Sequence, residues 1–238
     1  SQVQSGIDKS QREYLLREGL PPDRIIKTGS PMYEVLHYYL PKIEASDVLA
    51  RLGLQLEDYF VISAHREENI DTPEQFERFV SMLRLLAATY GRRVIVSTHP
   101  RTRKRLDAAG SVLPPLVEFH KPFGLCDFVK LEMSAKAVLS DSGTISEETA
   151  ILNLRALNLR QAHERPEAME EAVVMMVGLQ WDRIQQGLQI LEQQPHPIGA
   201  EQRLPADYAV PNVAEKVVRI IVSYTDYVNQ TVWQKPLA

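Results

Sequence analysis

The stretch "AVLSDSGTISEETAIL", residues 137–152, decides the fold class of this chain. Its first four residues form a short, mostly apolar, β-prone segment, whereas Ile145, Ala150 and Ile151 follow helical spacing. A polar turn with one glycine, residues 141–144, lies between the two parts. The stretch therefore predicts a strand, a tight turn and a helix.

Two interpretations of this turn are open. In the first, Thr144 caps the helix: its hydroxyl accepts a first-turn N–H, and Glu147 reaches back to the N–H of the cap. In the second, Gly143 lets the turn present backbone N–H groups at the positive end of the helix dipole, which suits a diphosphate. A carboxylate one turn into the helix would then accept hydrogen bonds from ribose hydroxyls. The turn alone favours the cap, because such caps are common where helices begin.

The surrounding sequence repeats the strand and helix alternation. β-prone segments occur at 59–65, 93–98, 116–120, 136–140, 155–159 and 173–178, with helical patterns at 72–91, from about 101, within 124–133 and after 144. Near-continuous apolar strands linked by helices indicate a parallel sheet covered on both faces. The predicted fold class is therefore α/β, a doubly wound, Rossmann-like parallel sheet.

Bulk composition excludes several function classes. A net charge of −4 argues against nucleic acid or an anionic membrane as the main partner. The sequence has no apolar run long enough to span a bilayer. The single cysteine, Cys126, is typical of a protein of the reducing cytoplasm. We therefore expect a cytoplasmic protein whose main partner is neither nucleic acid nor a membrane.

Charged residues gather after the predicted strands, where ligands of open α/β sheets bind. Histidines 65, 99, 120 and 163 all fall at such strand ends, and "HERPE" supplies Arg165 for a phosphate or carboxylate. No spacing of metal-ligand type occurs, and Ser142 lacks the context of a nucleophilic serine. We predict an anion site with no metal and no cofactor.

Four motifs resemble those of a known family. They are "TGSPMYEVL" (28–36), "SAHREENID" (63–71), "DSGTISEE" (141–148) and "NLRQAHERPEAMEE" (158–171). In this order and at these separations they resemble the non-hydrolysing UDP-N-acetylglucosamine 2-epimerase family over nearly the whole chain. The resemblance implies a GT-B arrangement, in which two Rossmann-like domains enclose the active site, and this chain is similar to the second domain.

The resemblance also implies domain boundaries. Residues 1–40 would be the tail of a missing N-terminal domain and the interdomain linker, and residues 41–210 would be the UDP-binding domain. Residues 211–238 would form a C-terminal helix that crosses back toward the first domain, which would explain its apolar "VVRIIVSYTDYVNQTVW".

Site residues follow from the resemblance one by one. His65 corresponds to the histidine that contacts the UDP phosphates and is implicated in catalysis. The turn Ser142, Gly143 and Thr144 would hold the diphosphate, although the family often has glycine where Thr144 stands. The remaining expected UDP contacts are Glu148 to the ribose, Phe128 near the uracil, Arg165 in the nucleotide site, and Arg66.

Two positions depart from the family. Phe123 stands where some members have glutamine, which weakens the case for a base contact there. Glu67 stands where the family has a basic residue, which weakens the case for the allosteric sugar-nucleotide site that some relatives build from Arg66 and His99.

The implied activity is C2 inversion of a UDP-HexNAc sugar for surface polysaccharide synthesis, by elimination and re-addition of UDP. The residues of the motifs "DSGTISEE" and "NLRQAHERPEAMEE" resemble those of members that act on modified UDP-HexNAc sugars more than those of the plain epimerase. We expect this chain alone to be inactive, because the acids and bases at C2 lie on the first domain, and we expect the whole protein to be a homodimer. The alternatives are a UDP-sugar-dependent GT-B glycosyltransferase and a stand-alone nucleotide-binding module.

Overall fold

The computed structural model describes residues 4–7, 9–64, 72–98, 100–108, 112–161, 172–194 and 204–235. The chain divides into a larger unit, Tyr39–Arg203, and a smaller unit of Ser1–Tyr38 and Leu204–Ala238. The described strands are β1 Gln4–Ile7, β2 Ile25–Lys27, β3 Tyr59–Ser63, β4 Arg93–Ser97, β5 Val117–His120, β6 Ala137–Ser140, β7 Ala156–Asn158 and β8 Met175–Met176. The described α-helices are α1 Lys9–Arg17, α2 Met32–Glu44, α3 Val48–Leu52, α4 Pro73–Tyr90, α5 Pro100–Ala108, α6 Leu125–Ser134, α7 Ile145–Leu152, α8 Trp181–Gln193 and α9 Val213–Thr231.

The larger unit is built on one parallel sheet. Its described strands run in the order β5-β4-β3-β6-β7-β8, and every neighbouring pair is parallel. Within this sheet the first strand, β3, is central. β4 and β5 follow on one side of it, and β6, β7 and β8 follow on the other side. The strand order therefore reverses between β3 and β6, which makes their carboxyl ends the topological switch point of the sheet.

Alternation along the strands separates two apolar layers. Phe60 and Ile62 of β3 face one cluster, to which α4 and α8 contribute Leu83 and Leu188. Tyr59 and Val61 face the opposite cluster, which includes Leu131 of α6 together with Val48 of α3 and Ile145 of α7. Because successive side chains of a strand point to opposite faces, helices cover the sheet on both sides. The doubly wound α/β fold predicted from the sequence is observed.

Helix α4 shows how closely local sequence specifies an element. Thr72 caps it, since its Oγ1 accepts the Gln75 N–H at 3.2 Å, and Pro73 occupies the first turn. Gly91 ends the helix in the left-handed conformation. The buried face consists of Phe76, Phe79, Val80, Met82, Leu83, Leu86 and Ala87. The sequence pattern predicts Thr72 as the cap and an apolar face of Phe76, Phe79, Val80, Leu83, Leu86 and Ala87, and the structure confirms both and adds Met82.

The smaller unit pairs β1 and β2 in parallel. Gly29 follows β2 with a φ of +86°, and a Cβ there would lie 2.6 Å from Val210, so this approach requires glycine. The Ser30 N–H donates to the Asp207 carbonyl at 3.0 Å, and Lys27 pairs with the Asp207 carboxylate. These contacts join the segment after β2 to the 3-10 turn Ala206–Tyr208.

Helix α9 begins differently from the sequence expectation. Asn212 and Glu215 predict a cap, but the Asn212 side chain makes no capping hydrogen bond. The carboxylate of Glu34 in α2 instead accepts the Ala214 N–H at 2.9 Å, so a residue remote in sequence takes that role. Val218, Ile221 and Val222 of α9 are exposed. In the described part of the chain, no helix combines the length and the apolar character needed to cross a membrane.

Candidate functional site

Polar side chains meet at the carboxyl edge of the sheet beside the switch point. Ser63 of β3 is in register with Ser97 of β4 on one side and Ser140 of β6 on the other. Ligands of open α/β sheets bind beyond the strand ends at such a point. The segment after β3 contains residues 65–71, which lie outside the described residues. The described part of the candidate site is therefore the turn after β6.

Serine hydroxyls fold this turn. The Ser142 N–H donates to Ser140 Oγ at 3.1 Å, and the Thr144 N–H donates to Ser142 Oγ at 3.2 Å. The first backbone hydrogen bond of α7 runs from the Glu148 N–H to the Thr144 carbonyl at 2.9 Å. The N–H groups of residues 145–147 therefore have no acceptor within the helix, as at every helix start. They stand at the positive end of the α7 dipole, which favours an anion.

A chain of side-chain hydrogen bonds runs from the turn to Glu148. The Thr144 hydroxyl donates to Glu148 Oε1 at 3.0 Å, and Ser142 Oγ lies 2.8 Å from Thr144 Oγ1. Because Thr144 has one hydroxyl proton and directs it to Glu148, the Ser142 hydroxyl is the donor of the second bond. The order of donation is thus Ser142, Thr144, Glu148, and it holds the carboxylate against the turn.

The capping box expected at Thr144 is wrong. The Thr144 side chain makes no cap hydrogen bond to the first turn of α7, and its backbone is already in the helical region. Its own N–H is accepted by Ser142 Oγ, and its hydroxyl proton is directed to Glu148. Thr144 is therefore not in use as the side-chain cap of α7.

Three glutamates, one on α6 and two in the first turn of α7, are linked electrostatically. Glu147 of α7 and Glu132 of α6 are each 3% exposed, and Glu148 is half-buried. Burial raises the pKa of Glu148, the Thr144 hydroxyl opposes that shift, and the nearby Glu147 charge adds to it. Burial and then the charge of Glu148 raise the pKa of Glu132 well above its ordinary value. The site therefore concentrates carboxyl groups in a poorly solvated region.

Sequence reasoning missed Arg160, which follows β7 and supports the turn. Arg160 is 4% exposed, and its Nε donates to the Asp141 carbonyl at 2.8 Å. Its own N–H donates to Asn158 Oδ1 at 2.9 Å. The available signal was an arginine directly after an apolar strand, at the edge where ligands bind. Glu132 was missed too, although a glutamate three residues after Val129 falls on the apolar face of its helix.

A cavity of about 380 Å³ opens at the same edge, beside the ends of β7 and β8. Arg160 and Gln161 line it after β7, and Gly178 lines it after β8. Arg78 of α4 borders it as well and is held by Glu74 at 2.6 Å. Open space at the carboxyl edge therefore extends from the residue that supports the turn.

The structure brings together four of the expected site residues, Ser142, Gly143, Thr144 and Glu148. Phe128 lies on α6, half-buried, and packs with Phe123 against the apolar cluster on the α6 face of the sheet. The other expected residues, His65, Arg66 and Arg165, lie outside the described residues, as do Glu67, His99 and His163. His120 ends β5 and places Nε2 3.4 Å from Glu118.

Within the described ranges, no three His, Cys, Asp or Glu side chains are grouped so that they could hold a metal ion. A doubly wound parallel sheet with a polar, glycine-containing turn and a helix start at its switch point defines an α/β domain of the nucleotide-binding class.

Comparison with known proteins specifies the family. The sequence profile described as UDP-N-acetylglucosamine 2-epimerase matches residues 1–222, and the chain belongs to that family. A Methanocaldococcus jannaschii protein named UDP-N-acetylglucosamine 2-epimerase is 29% identical over 185 residues, which is 74% of this chain and 50% of that protein. A Methanococcus maripaludis protein of the same name is 28% identical over 177 residues, covering 71% of this chain and 48% of that protein. The chain thus spans about half the length of these curated relatives.

Solved structures agree with this assignment. UDP-N-acetylglucosamine 2-epimerase from Rickettsia bellii is 40% identical, with a TM-score of 0.87 over 99% of this chain and 63% of that chain. The Methanocaldococcus jannaschii enzyme in complex with UDP-GlcNAc and UDP is 27% identical, with a TM-score of 0.82 over 94% of this chain and 61% of that chain. These matches confirm the predicted fold class, a Rossmann-like domain of the kind found in GT-B epimerases.

Proposed function

We propose that this chain is the UDP-binding half of a non-hydrolysing UDP-N-acetylglucosamine 2-epimerase. The observation that carries the proposal is the turn at the switch point, where the Ser142 and Thr144 hydroxyls form a hydrogen-bond chain to Glu148 at the start of α7. Family membership supports the proposal, and so does a relative solved with UDP-GlcNAc and UDP.

The parts of UDP fit different parts of the turn. A diphosphate carries negative charge, and the start of α7 with Ser142, Gly143 and Thr144 offers N–H groups and hydroxyls to it. A ribose carries two neighbouring hydroxyls, which donate well to a carboxylate such as Glu148. We assign the phosphates also to His65, Arg66 and Arg165, and the uracil to the region of Phe128.

The proposed reaction inverts C2 of a UDP-HexNAc sugar in two steps. A base removes the C2 proton as the bond from C1 to the diphosphate oxygen breaks, which gives UDP and a 2-acetamidoglycal. An acid then returns a proton to C2 from the other face while a UDP oxygen re-forms the bond to C1. Stabilising the charge that develops on the diphosphate and retaining UDP are the tasks of this unit, with His65 as its catalytic residue.

The other tasks belong to a second domain under this proposal. The acid and base that act on C2 must reach the sugar, and we place them on an N-terminal domain that residues 1–40 and 211–238 connect to residues 41–210. We further propose that the whole protein is a cytoplasmic homodimer. We propose a modified UDP-HexNAc for surface polysaccharide synthesis as its substrate, because the motif residues around Thr144 and Arg165 resemble those of members that act on such sugars.

Two assays test the proposed function. Isothermal titration of this chain with UDP should show saturable binding. Deuterium exchange at C2, measured with UDP-GlcNAc and with its 6-deoxy and uronic acid derivatives, should be absent with the chain alone and present for at least one of these sugars with a protein that carries both domains. Failure to bind UDP would refute the nucleotide role. Sugar transfer that requires an acceptor, without a C2 epimer, would favour a GT-B glycosyltransferase. UDP binding with no C2 exchange by the two-domain protein would favour a stand-alone nucleotide-binding module.

A further inference from the structure

Helix α6 carries a buried carboxyl group that the proposed reaction does not use. Glu132 is 3% exposed, and its neighbours Val129 and Leu131 are buried in the same helix. Within the described part of the chain, Glu132 Oε2 has no hydrogen-bond partner. A buried carboxylate without a partner is strongly disfavoured, whereas a protonated carboxyl is far easier to bury. The side chain therefore needs either a counter-ion or a proton.

Glu132 cannot easily turn away from this position, because α6 is tied down near both ends. Near its start, the Ser46 hydroxyl donates to the Asp127 carboxylate at 2.6 Å. Next to Glu132, the buried Tyr59 hydroxyl of β3 donates to the Leu131 carbonyl at 2.7 Å. The backbone that carries Glu132 is thus fixed to the sheet, and its carboxyl stays inside.

The charged group that acts on Glu132 is Glu148. Apart from burial, the Glu148 charge is the resolved influence on Glu132. Glu148 in turn is acted on by the Thr144 hydroxyl and by Glu147. None of these influences from the described residues is a cation. Two like charges that act on each other in a poorly solvated region cannot both form easily, so the pair holds one proton at a pH where ordinary glutamates hold none.

The hydrogen bonds decide which carboxyl keeps that proton. Glu148 is half-buried and accepts the Thr144 hydroxyl at 3.0 Å, which stabilises its ionised form. Glu132 is more deeply buried, and one of its oxygens has no partner within the described part of the chain. The first proton to leave the pair therefore comes from Glu148, and the second comes from Glu132.

We propose that Glu132 is a positioning residue for the nucleotide site, which as a neutral, protonated neighbour allows the ionised Glu148 to stay against Thr144 and accept the ribose hydroxyls. This inference rests on the proposed function for the ribose contact alone. Ionisation of Glu132 would add a second negative charge that acts on Glu148, and the less deeply buried Glu148 would be displaced from Thr144.

The raised pKa of Glu132 makes the free energy of unfolding decrease as the pH rises. The unfolded chain releases the Glu132 proton near the ordinary value of 4.5, whereas the folded chain retains it because burial and Glu148 raise the pKa. The folded state thus binds more protons above that value, and its stability falls as the pH rises toward the folded pKa. Glu132→Gln keeps a neutral side chain of the same shape and removes this fall.

The experiment compares wild type with Glu132→Gln in three measurements. Infrared spectra at a pH above the ordinary titration range of glutamate should show the C=O band of a protonated carboxylic acid in wild type, and the substitution should abolish it. Urea unfolding should lose stability from pH 5 to pH 9 in wild type, with a clearly smaller loss in the variant. The Kd for UDP should rise with pH more steeply in wild type than in the variant, by up to about tenfold per pH unit for one linked proton.

Glu118→Gln is the matched control, because the Arg93 guanidinium lowers the pKa of Glu118 and keeps it ionised. The control should retain the infrared band. A missing band in wild type, or a band that survives Glu132→Gln, would overturn the proposal even if UDP binds. The first two measurements use no UDP, so a chain that shows the band but does not bind UDP refutes the proposed function and leaves the proton on Glu132 established. Equal pH dependence of the Kd in both proteins would reduce Glu132 to a purely structural role and overturn its positioning role.

Discussion

Two helices start at the carboxyl edge of the same sheet, and each start has a threonine at the cap position. At α4, Thr72 accepts the Gln75 N–H and closes the helix end. At α7, Thr144 makes no cap bond and donates instead to Glu148, four residues along the helix. Both sequences fit the same capping pattern, with Gln75 or Glu147 three residues after the threonine. The structures differ because the hydroxyl at α7 has a buried carboxylate to satisfy.

The difference separates stability from function. A cap that closes the helix end satisfies a backbone N–H and contributes to folding, as at Thr72. A threonine that donates to Glu148 supplies no side-chain cap and fixes a carboxylate beside the helix start. Local rules that hold at one helix start and fail at the other mark the second as the candidate site.

Of the substitutions at the two helix starts, Glu148→Ala should have the largest effect, and the effect should be on UDP affinity. Removing the carboxylate should weaken UDP binding by about 1–3 kcal/mol, or about 5- to 150-fold, because a charge-assisted hydrogen bond to the ribose is lost. Glu77→Ala, an exposed glutamate of α4, is the control and should leave the Kd unchanged. Calorimetry that finds wild-type affinity in the Glu148 variant would make this carboxylate a helix-terminus charge only.

Thr72→Ala should affect folding and not binding. Loss of the cap hydrogen bond should lower the free energy of unfolding by about 1 kcal/mol, within the usual range for a threonine cap. Urea unfolding measures the loss, and Thr72→Ser should restore the stability because serine also caps well. A stability equal to that of wild type would show that Thr72 and Thr144 do not differ in this respect.

Thr144→Ala should affect UDP binding more than folding, and its effect should be the smallest of the three. The binding free energy of UDP should weaken by about 0.5–1.5 kcal/mol, the net value of one hydrogen bond, because Glu148 loses the donor that orients it. Unfolding should be affected less than by Thr72→Ala, since no backbone cap is removed. Thr144→Ser keeps the hydroxyl and should bind UDP as wild type does. A large loss of stability with unchanged Kd would place Thr144 among ordinary caps.

The sequence predicts the sheet well because strand burial is a local pattern. Each strand from β3 to β8 lies within a predicted segment, and the apolar face of α4 is confirmed. The predicted strand 173–178 shortens to Met175–Met176 at the edge of the sheet, where the described strands offer one neighbour, β7. Local periodicity identifies apolar segments, but pairing fixes where strands end.

The site was only partly predictable, because its hydrogen bonds connect residues remote in sequence. Ser142 and Glu148 follow from the motif, but the capping interpretation of Thr144 was wrong, because the choice between a backbone N–H and a carboxylate depends on tertiary surroundings that the local pattern does not contain. Glu132 lies on another helix and Arg160 after another strand. The cap of α9 fails as a prediction for the same reason, because Glu34 in α2 supplies it.

UDP should bind at the turn after β6, and an NMR titration of this chain with UDP measures this directly. We expect saturable shifts that are largest at the amides of Ser142, Gly143 and Thr144, with the same Kd as calorimetry gives. Saturable shifts that leave these three amides unmoved, or no shifts at millimolar UDP, would contradict it.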